Sequence, residues 1–186
     1  MKRFAVLAAA ALLAGCSGNA PPSTQTVRNT TSISTTGVGG SATASIESYS
    51  DVGGSAHRVS AAPDRVWEVM PAVYQGLGIA VGTSIPDART IGNVRLELNR
   101  VLAGQPLSTF VNCGEGPTGS PLADSYRVTM SLLTILAPAE TGATRVETRV
   151  NASAVNRAVS GATVNCATTG RLESLIAERI RSQTGA

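Results

Sequence analysis

The sequence predicts an α+β domain: an antiparallel sheet of about six or seven strands with two helices packed on one face, preceded by a disordered tether. From residue 46 onward, several segments alternate apolar and polar residues, which is typical of strands buried on one face. Two other segments repeat apolar residues every three or four positions, as a helix does. From Ser17 to Ser45 the chain consists mainly of Ser, Thr, Gly, Asn and Pro.

The first fifteen residues are predicted to be a signal peptide. Lys2 and Arg3 precede an apolar run from Phe4 to Ala14. A charged start, a short apolar stretch and a small residue before the cleavage point are typical of secretory leaders. The run is too short for a helix that spans a bilayer, which needs about 20 residues.

The segment Leu13-Ala14-Gly15-Cys16 resembles the lipobox of bacterial lipoproteins. The resemblance implies that a diacylglycerol is attached to the thiol of Cys16 and that cleavage frees the amine of Cys16 for acylation. Each buried methylene contributes about 0.8 kcal/mol, so several acyl chains hold a protein on a membrane. Because Ser17 rather than Asp follows, the resemblance implies the outer membrane. The domain is expected to face the periplasm, and the cell surface is the alternative. The alternative is an ordinary secretory signal with an incidental Cys.

Charge and composition argue against a nucleic-acid-binding protein. Removal of the leader takes away Lys2 and Arg3, two of the 15 basic residues, and leaves a near balance with the 12 acidic ones. The remaining basic residues are all Arg and are scattered, so no basic patch for phosphates is predicted. Aromatic residues make up 3% of the chain, too few for a platform on which bases stack.

Two further cysteines, Cys113 and Cys166, are predicted to form a disulfide, because an oxidising periplasm favours the pairing of two remaining thiols. The alternative is two separate buried thiols, since spacing along the chain does not show whether the Cβ atoms can approach. A zinc site is not expected, because two Cys and the single histidine, His57, cannot supply four ligands. No cofactor is predicted.

Residues 16–45 are predicted to be the lipidated Cys and a flexible linker, and residues 46–186 a single globular domain. Between Ser17 and Ser45 the apolar residues are isolated and Arg28 is the only charged residue, so little apolar surface can be buried to offset chain entropy. Such a tether would let the domain stand away from the lipid and meet a partner at raised local concentration. A tail without a role is the alternative.

The first predicted helix begins at Pro63, after a possible strand near residues 46–49 and a firmer one near 57–61. Proline suits the first helical position, and Asp64 suits the positive end of the helix dipole. Pro71 within the helix predicts a kink, and two glycines end it. Its apolar stripe consists of Val66, Met70, Val73 and Leu77, with Trp67 and Tyr74 beside it.

The rest of the domain is predicted to be strands and a closing helix. Strand patterns cover residues 79–84, 94–98, 107–113, 126–136, 146–154 and 164–166. Gly142 marks the turn between the two longest strands. The closing helix takes Thr168 or Thr169 as its cap and has one apolar face. Because each strand buries only one face, the sheet is predicted to be antiparallel with both helices on that face.

This order of elements resembles the helix-grip fold. The segment Ala61-Ala62-Pro63-Asp64-Arg65-Val66-Trp67-Glu68-Val69 is similar to the start of the first helix in START-like domains and in the domains of a lipoprotein component of the β-barrel assembly machinery. The first likeness implies a cavity for an apolar ligand between the sheet and the closing helix. The second implies a protein-binding module, and neither implies catalytic residues.

Trp67 and the loop from Gly114 to Ala123 are the candidate ligand- or partner-binding features. Prolines restrict the loop and glycines permit unusual backbone angles; its candidate residues are Gly114, Gly116, Pro117, Gly119 and Pro121. The spacing matches the dinucleotide-binding pattern GxGxxG, but the two prolines forbid the helix that this pattern requires. The alternatives are a plain connection between strands for the loop and a core residue for Trp67.

No catalytic constellation is found, and the chain is predicted not to be an enzyme. A hydrolase would have to use His57, which no nucleophile pattern accompanies, so His57 is interpreted as a surface or edge residue. Glu97 and Glu147 lie beside arginines on predicted solvated strand faces, where cross-strand ion pairs are the plain explanation.

Two functional hypotheses follow. The first is a non-enzymatic, lipid-anchored interaction or scaffold module of the cell envelope, with an envelope protein as partner. The second is a binding protein for a small apolar ligand, which requires a cavity of about 300 Å³ or more between the sheet and the closing helix. The packing of that space separates the two hypotheses.

Overall fold

The computed structural model describes residues 26–37, 40–51, 55–156 and 163–186, and for the first two ranges it gives the strands alone. These are β1 (Thr26–Gly37) and β2 (Gly40–Asp51), which pair antiparallel with each other. They lie across the predicted linker and its boundary with the domain, where frequent Thr favours strands. Residues 1–25, with the predicted signal peptide and Cys16, lie outside the described residues. The flexibility of the linker stays a prediction.

The domain after β2 contains nine strands and three helices among the described residues. The strands are β3 (Ser55–Val59), β4 (Thr83–Ile85), β5 (Thr90–Asn99), β6 (Val101–Leu102), β7 (Gln105–Pro106), β8 (Val111–Asn112), β9 (Arg127–Pro138), β10 (Thr144–Val155) and β11 (Thr163–Thr168). The helices are α1 (Pro63–Gly76), α2 (Leu122–Ser125) and α3 (Arg171–Thr184). β6 and β7 form a small hairpin, and the other seven strands form one antiparallel sheet in the order β4-β5-β9-β10-β11-β8, with β3 also paired to β10.

β10 is the central strand of the sheet. One edge pairs with β9 over its whole length, from Thr144 opposite Pro138 to Val155 opposite Arg127. The other edge is shared, because β3 pairs with residues 144–148 and β11 with residues 152–155. The first strand of the sheet and the strand before α3 therefore meet on the same edge of β10.

The two long helices pack on one face of the sheet, so the predicted α+β class is confirmed. Alternate residues of β9 face the helices and are buried: Val128, Met130, Leu132, Thr134 and Leu136. They join one core with the buried stripe of α1 (Val66, Met70, Val73 and Tyr74) and that of α3 (Leu172, Ile176 and Ile180). α1 begins at Pro63 and contains Pro71, and Gly142 lies between β9 and β10, as predicted.

Two predicted strands have different bounds in the structure. The segment 79–84 becomes a strand only at Thr83, because Gly78 adopts a φ of 71° and the N–H of Ile79 donates to the carbonyl of Tyr74 at 2.9 Å. This bond ends α1 and buries Ile79 as part of the helix terminus. The segment 107–113 is a single 3-10 turn, Leu107–Thr109, followed by the two-residue β8.

The cap of α3 is Gly170, with a φ of 78°, rather than Thr168 or Thr169. Both threonines still accept hydrogen bonds from the first N–H groups. Thr169 Oγ1 accepts from Arg171 at 3.3 Å, and Thr168 Oγ1 accepts from Gly170 at 3.1 Å. The predicted hydroxyls therefore serve the helix start from outside the cap position.

A buried polar chain joins α1 to three strands. The hydroxyl of Tyr74 lies 2.9 Å from Thr134 Oγ1 and donates to the carbonyl of Ile91 at 3.2 Å. Thr134 Oγ1 lies 3.0 Å from Thr148 Oγ1. Burial raises the pKa of Tyr74 to about 12, so its hydroxyl keeps its proton at neutral pH. The chain fixes the rotation of α1 over β5, β9 and β10.

Replacing Tyr74→Phe is expected to lower the free energy of unfolding by about 1–3 kcal/mol, because it leaves buried acceptors without their donor. Thr134→Val is expected to cost a similar amount. The double variant should cost less than the sum of the two, since both substitutions break the same bond. Urea unfolding of the four proteins measures this coupling, and strict additivity would contradict a connected chain.

Candidate functional site

The predicted disulfide is present and joins Cys113 to Cys166. Cys113 follows β8 and Cys166 lies within β11, so the bond fastens the start of the Gly- and Pro-rich loop to the sheet. Both residues are buried in the core.

The loop after Cys113 folds back on itself. The N–H of Gly116 donates to Ser120 O, that of Gly119 to Gly116 O and that of Leu122 to Gly114 O, each at 2.9 Å. Gly114 and Gly119 have φ angles of 86° and 75°, which favour glycine. Helix α2 begins only at Leu122, so residues 114–119 form a closed turn rather than the helix start of a dinucleotide site.

Trp67 and the loop lie on separate elements. Trp67 is half-buried on α1 and packs against the core, which agrees with its interpretation as a core residue. The loop is mostly exposed from Glu115 to Pro121, while Leu122 and Ala123 anchor it in the core. Within residues 55–156, no hydrogen bond joins Trp67 to the loop. The two candidate features do not form one site through such a bond.

His57 lies on an edge strand, β3, as predicted, and is partly exposed. Atom Nε2 is buried and has no hydrogen-bond partner in the described part of the chain. Burial lowers the pKa of His57, and the nearby Arg181 guanidinium of α3 lowers it further, while Glu178 raises it. Burial and the charge of Arg181 therefore favour the neutral form of His57. No group of three His, Cys, Asp or Glu side chains that suits a metal occurs among the described residues.

The free energy of unfolding is expected to fall as the pH drops below about 6.5, the ordinary pKa of histidine. The folded pKa lies below the unfolded one, so the unfolded chain takes up the proton first and is favoured by acid. His57 is the only histidine in the chain. Urea midpoints at pH 7.5 and 5.5 should differ in the natural protein and differ less in His57→Gln. An equal difference in both proteins would contradict this assignment.

The face of the sheet opposite the helices carries two adjoining depressions, which we call the outer groove. One, of about 440 Å³, is lined by Arg95, Glu97, Arg127, Thr129 and Val155. The other, of about 280 Å³, is lined by Val94, Thr129, Ser131, Asn151, Ala152, Ser153 and Asn165. Thr129 belongs to both, so the groove crosses the sheet from β5 to β11. Its lining is mainly hydroxyl, amide and charged.

The ion pairs on this face differ from the prediction. Glu147 accepts from Arg149 at 2.7 Å and from Arg145 at 3.4 Å, so its partners lie on its own strand rather than across strands. Glu97 and Arg95 form no ion pair within residues 55–156 and 163–186. The charged residues at one end of β10 therefore form ion pairs with each other, whereas Arg95 and Glu97 on β5 form none among the described residues.

The space between the sheet and α3 is filled by side chains. Five residues that would line a cavity there have 0% of their surface accessible to solvent: Met130, Leu132, Leu172, Ile176 and Ile180. A cavity large enough for a ligand would leave accessible surface on its walls. These side chains instead meet each other across a closed interface.

The outer groove was not among the sites predicted from the sequence. Alternation along β5, β9 and β10 indicates which residues face outward, but not which of them are neighbours. The pairings of Glu97 with Thr129 and of Thr129 with Ser153 create the groove. A run of outward Ser, Thr and Asn on consecutive strands was the only available signal.

The structure defines this protein as an α+β domain with helices on one face of an antiparallel sheet and a polar groove on the other. No protein-family model, curated protein or solved structure matches the chain. Among the described residues, no helix is both long enough and apolar enough to pass through a membrane.

Proposed function

We propose that this protein is a non-enzymatic interaction module of the cell envelope, held on the outer membrane by acyl chains on Cys16. The lipobox-like segment before Cys16 supports the anchor and the periplasmic setting. A disulfide between Cys113 and Cys166 is compatible with an oxidising compartment. The proposed partner is an envelope protein.

The outer groove is the observation that carries this proposal. Its walls are polar side chains fixed on paired strands, and rigid elements position contacts more accurately than loops do. Thr129, Ser131 and Asn151 offer hydrogen-bond donors and acceptors to a polar partner surface. Arg95, Glu97 and Arg127 add charges of both signs at one end of the groove.

The second hypothesis, an apolar ligand held beneath α3, would require the helix to move away from the sheet. Leu172, Ile176 and Ile180 would have to leave the contacts that bury them. Large apolar side chains lose about 1.5–3 kcal/mol each when they are exposed to water. We therefore place the interaction on the outer groove rather than in the core.

Photo-crosslinking in intact outer membranes tests the proposal. A photoreactive amino acid at Asn151, in the groove, is expected to give one discrete protein adduct. The same amino acid at Glu68, exposed on α1, is the matched control and should not give that adduct. Adducts spread over bulk envelope proteins in proportion to their abundance, or identical adducts from both positions, would contradict a partner at the groove.

A further inference from the structure

β5 has an open edge. β4 covers only Thr90–Gly92 of this strand, through the pairs Thr83–Gly92 and Ile85–Thr90. From residue 94 to residue 98 the strand has β9 on one side, and among the described residues no strand lies on the other. An uncovered edge presents backbone donors and acceptors to another chain.

The direction of the backbone groups follows from the pairing with β9. The N–H of Leu136 donates to Arg89 O at 3.0 Å, which shows that even-numbered residues of β9 face β5. The backbone N–H and carbonyl groups of Met130 and Val128 therefore point toward their partners Leu96 and Leu98 on β5. By alternation, the N–H and carbonyl of Glu97 face the open edge.

A bulge between residues 93 and 96 changes the edge just before Glu97. The side chain of Asn93 occupies this position: its Oδ1 accepts from the N–H of Arg95 at 2.8 Å and its Nδ2 donates to Ala80 O at 2.9 Å. The side chain of Asn93 thus accepts a hydrogen bond from one backbone donor of the edge, the N–H of Arg95. By the same alternation, the carbonyl of Arg95 and both backbone groups of Glu97 point toward the open edge.

The side chains at this edge carry unbridged charges of opposite sign. Arg95 and Glu97 are exposed, line the same depression and stand two residues apart. Val94 beside them is 58% exposed, although it is apolar.

We propose that a second copy of this chain pairs antiparallel with the open edge of β5, with Leu96 opposite Leu96 of the second copy. This register places Arg95 opposite Glu97 of the second copy, and the two-fold axis repeats the pair. Registers shifted by two residues place Arg95 opposite Arg95 or Glu97 opposite Glu97, and like charges directly opposite are destabilising. The sequence of the edge is therefore complementary to itself in one register and repels others.

The same register pairs two of the open backbone groups of each copy. The N–H of Glu97 donates to the carbonyl of Arg95 in the second copy, and the symmetric bond forms at the other end. Leu96 of one copy contacts Leu96 of the other at the two-fold axis, as a residue at the centre of an isologous interface does. The two seven-stranded sheets then form one continuous sheet. This inference does not depend on the proposed anchor or on the outer-groove partner.

Charge variants of the full chain in detergent micelles test the pairing by sedimentation velocity. Arg95→Glu is expected to weaken the dimer roughly ten-fold, because it replaces two attractive pairs with two repulsive ones. The swap Arg95→Glu/Glu97→Arg should restore the dimer, and Arg65→Glu on α1 should leave it unchanged. A natural chain that stays monomeric at every concentration, or a swap that remains as weak as the single variant, would overturn the proposal.

Cysteine crosslinking tests the register. Leu96→Cys is expected to give a disulfide-linked dimer on mild oxidation, because the two residues 96 meet at the axis. Val94→Cys should not, because residue 94 lies opposite residue 98 of the second copy. The natural chain, oxidised in the same way, gives the amount of dimer that its own cysteines form. Equal yields at both positions, or dimers from Val94→Cys alone, would exclude the proposed register.

Discussion

Replacement of Cys113 and Cys166 by alanine is expected to lower the free energy of unfolding by about 4 kcal/mol. The bond closes a loop with a sequence separation of 53 residues, and such a crosslink restricts the unfolded chain. It also joins the Gly- and Pro-rich loop to β11, next to the helix start at Gly170. This loss is a large part of the roughly 5–15 kcal/mol that stabilises a typical domain.

Urea unfolding of the natural protein and of Cys113→Ala/Cys166→Ala measures the loss. The urea dependence of the free energy should also rise, because the unfolded chain without its crosslink exposes more surface. Reduction of the natural protein should reproduce both changes, and Cys16→Ser should show neither, since Cys16 precedes the domain. A loss under about 1 kcal/mol would contradict a stabilising role for the bond.

Cys16→Ser is expected to transfer the protein from the membrane fraction to the soluble fraction of the envelope. The proposed acyl chains attach through the thiol and the freed amine of residue 16, and serine provides no thiol for the first of them. A single remaining acyl chain, on the amine, would give only weak, reversible membrane binding. The folded domain should keep its stability, because the substitution lies well before the sheet begins at Ser55.

Fractionation of cells that express the natural chain and Cys16→Ser measures this change. Mass analysis of the natural product gives an independent readout, since the proposal requires an acylated cysteine at its amino terminus. An unmodified amino terminus at any other residue would contradict the anchor. Cys113→Ala/Cys166→Ala is the matched control, because it removes the other two cysteines without touching the proposed attachment point.

Local chemistry explains why several elements could be predicted. Pro63 begins α1, Gly142 stands at the turn between β9 and β10, and the alternation in those strands indicates their buried faces. Each of these features depends on neighbours within a few residues. Ile79 lies in the helix terminus rather than in a strand because its N–H bonds to the carbonyl of Tyr74 after the positive φ of Gly78, and the sequence pattern does not show this bond.

The site depends on contacts that sequence patterns do not report. The register of β5 against β9 places Glu97 beside Thr129, and the register of β9 against β10 places Thr129 beside Ser153. The partial burial of His57 results from α3, which is more than one hundred residues away in the chain. The bridging of Glu147 by its own strand, and the absence of a bridge at Glu97 in the described residues, follow from local geometry of the folded sheet.

Periodicity and cysteine number, both properties of the linear chain, were enough to predict the class of the domain, the inward faces of its long strands and helices, and the pairing partner of Cys113. Three further properties emerged only from the folded chain. The core beneath α3 is filled, a polar groove crosses the outer face, and one edge of β5 is uncovered in the described part of the chain. Strand register and side-chain packing join residues far apart in sequence, and these joined positions form the surface on which we propose that the protein meets its partners.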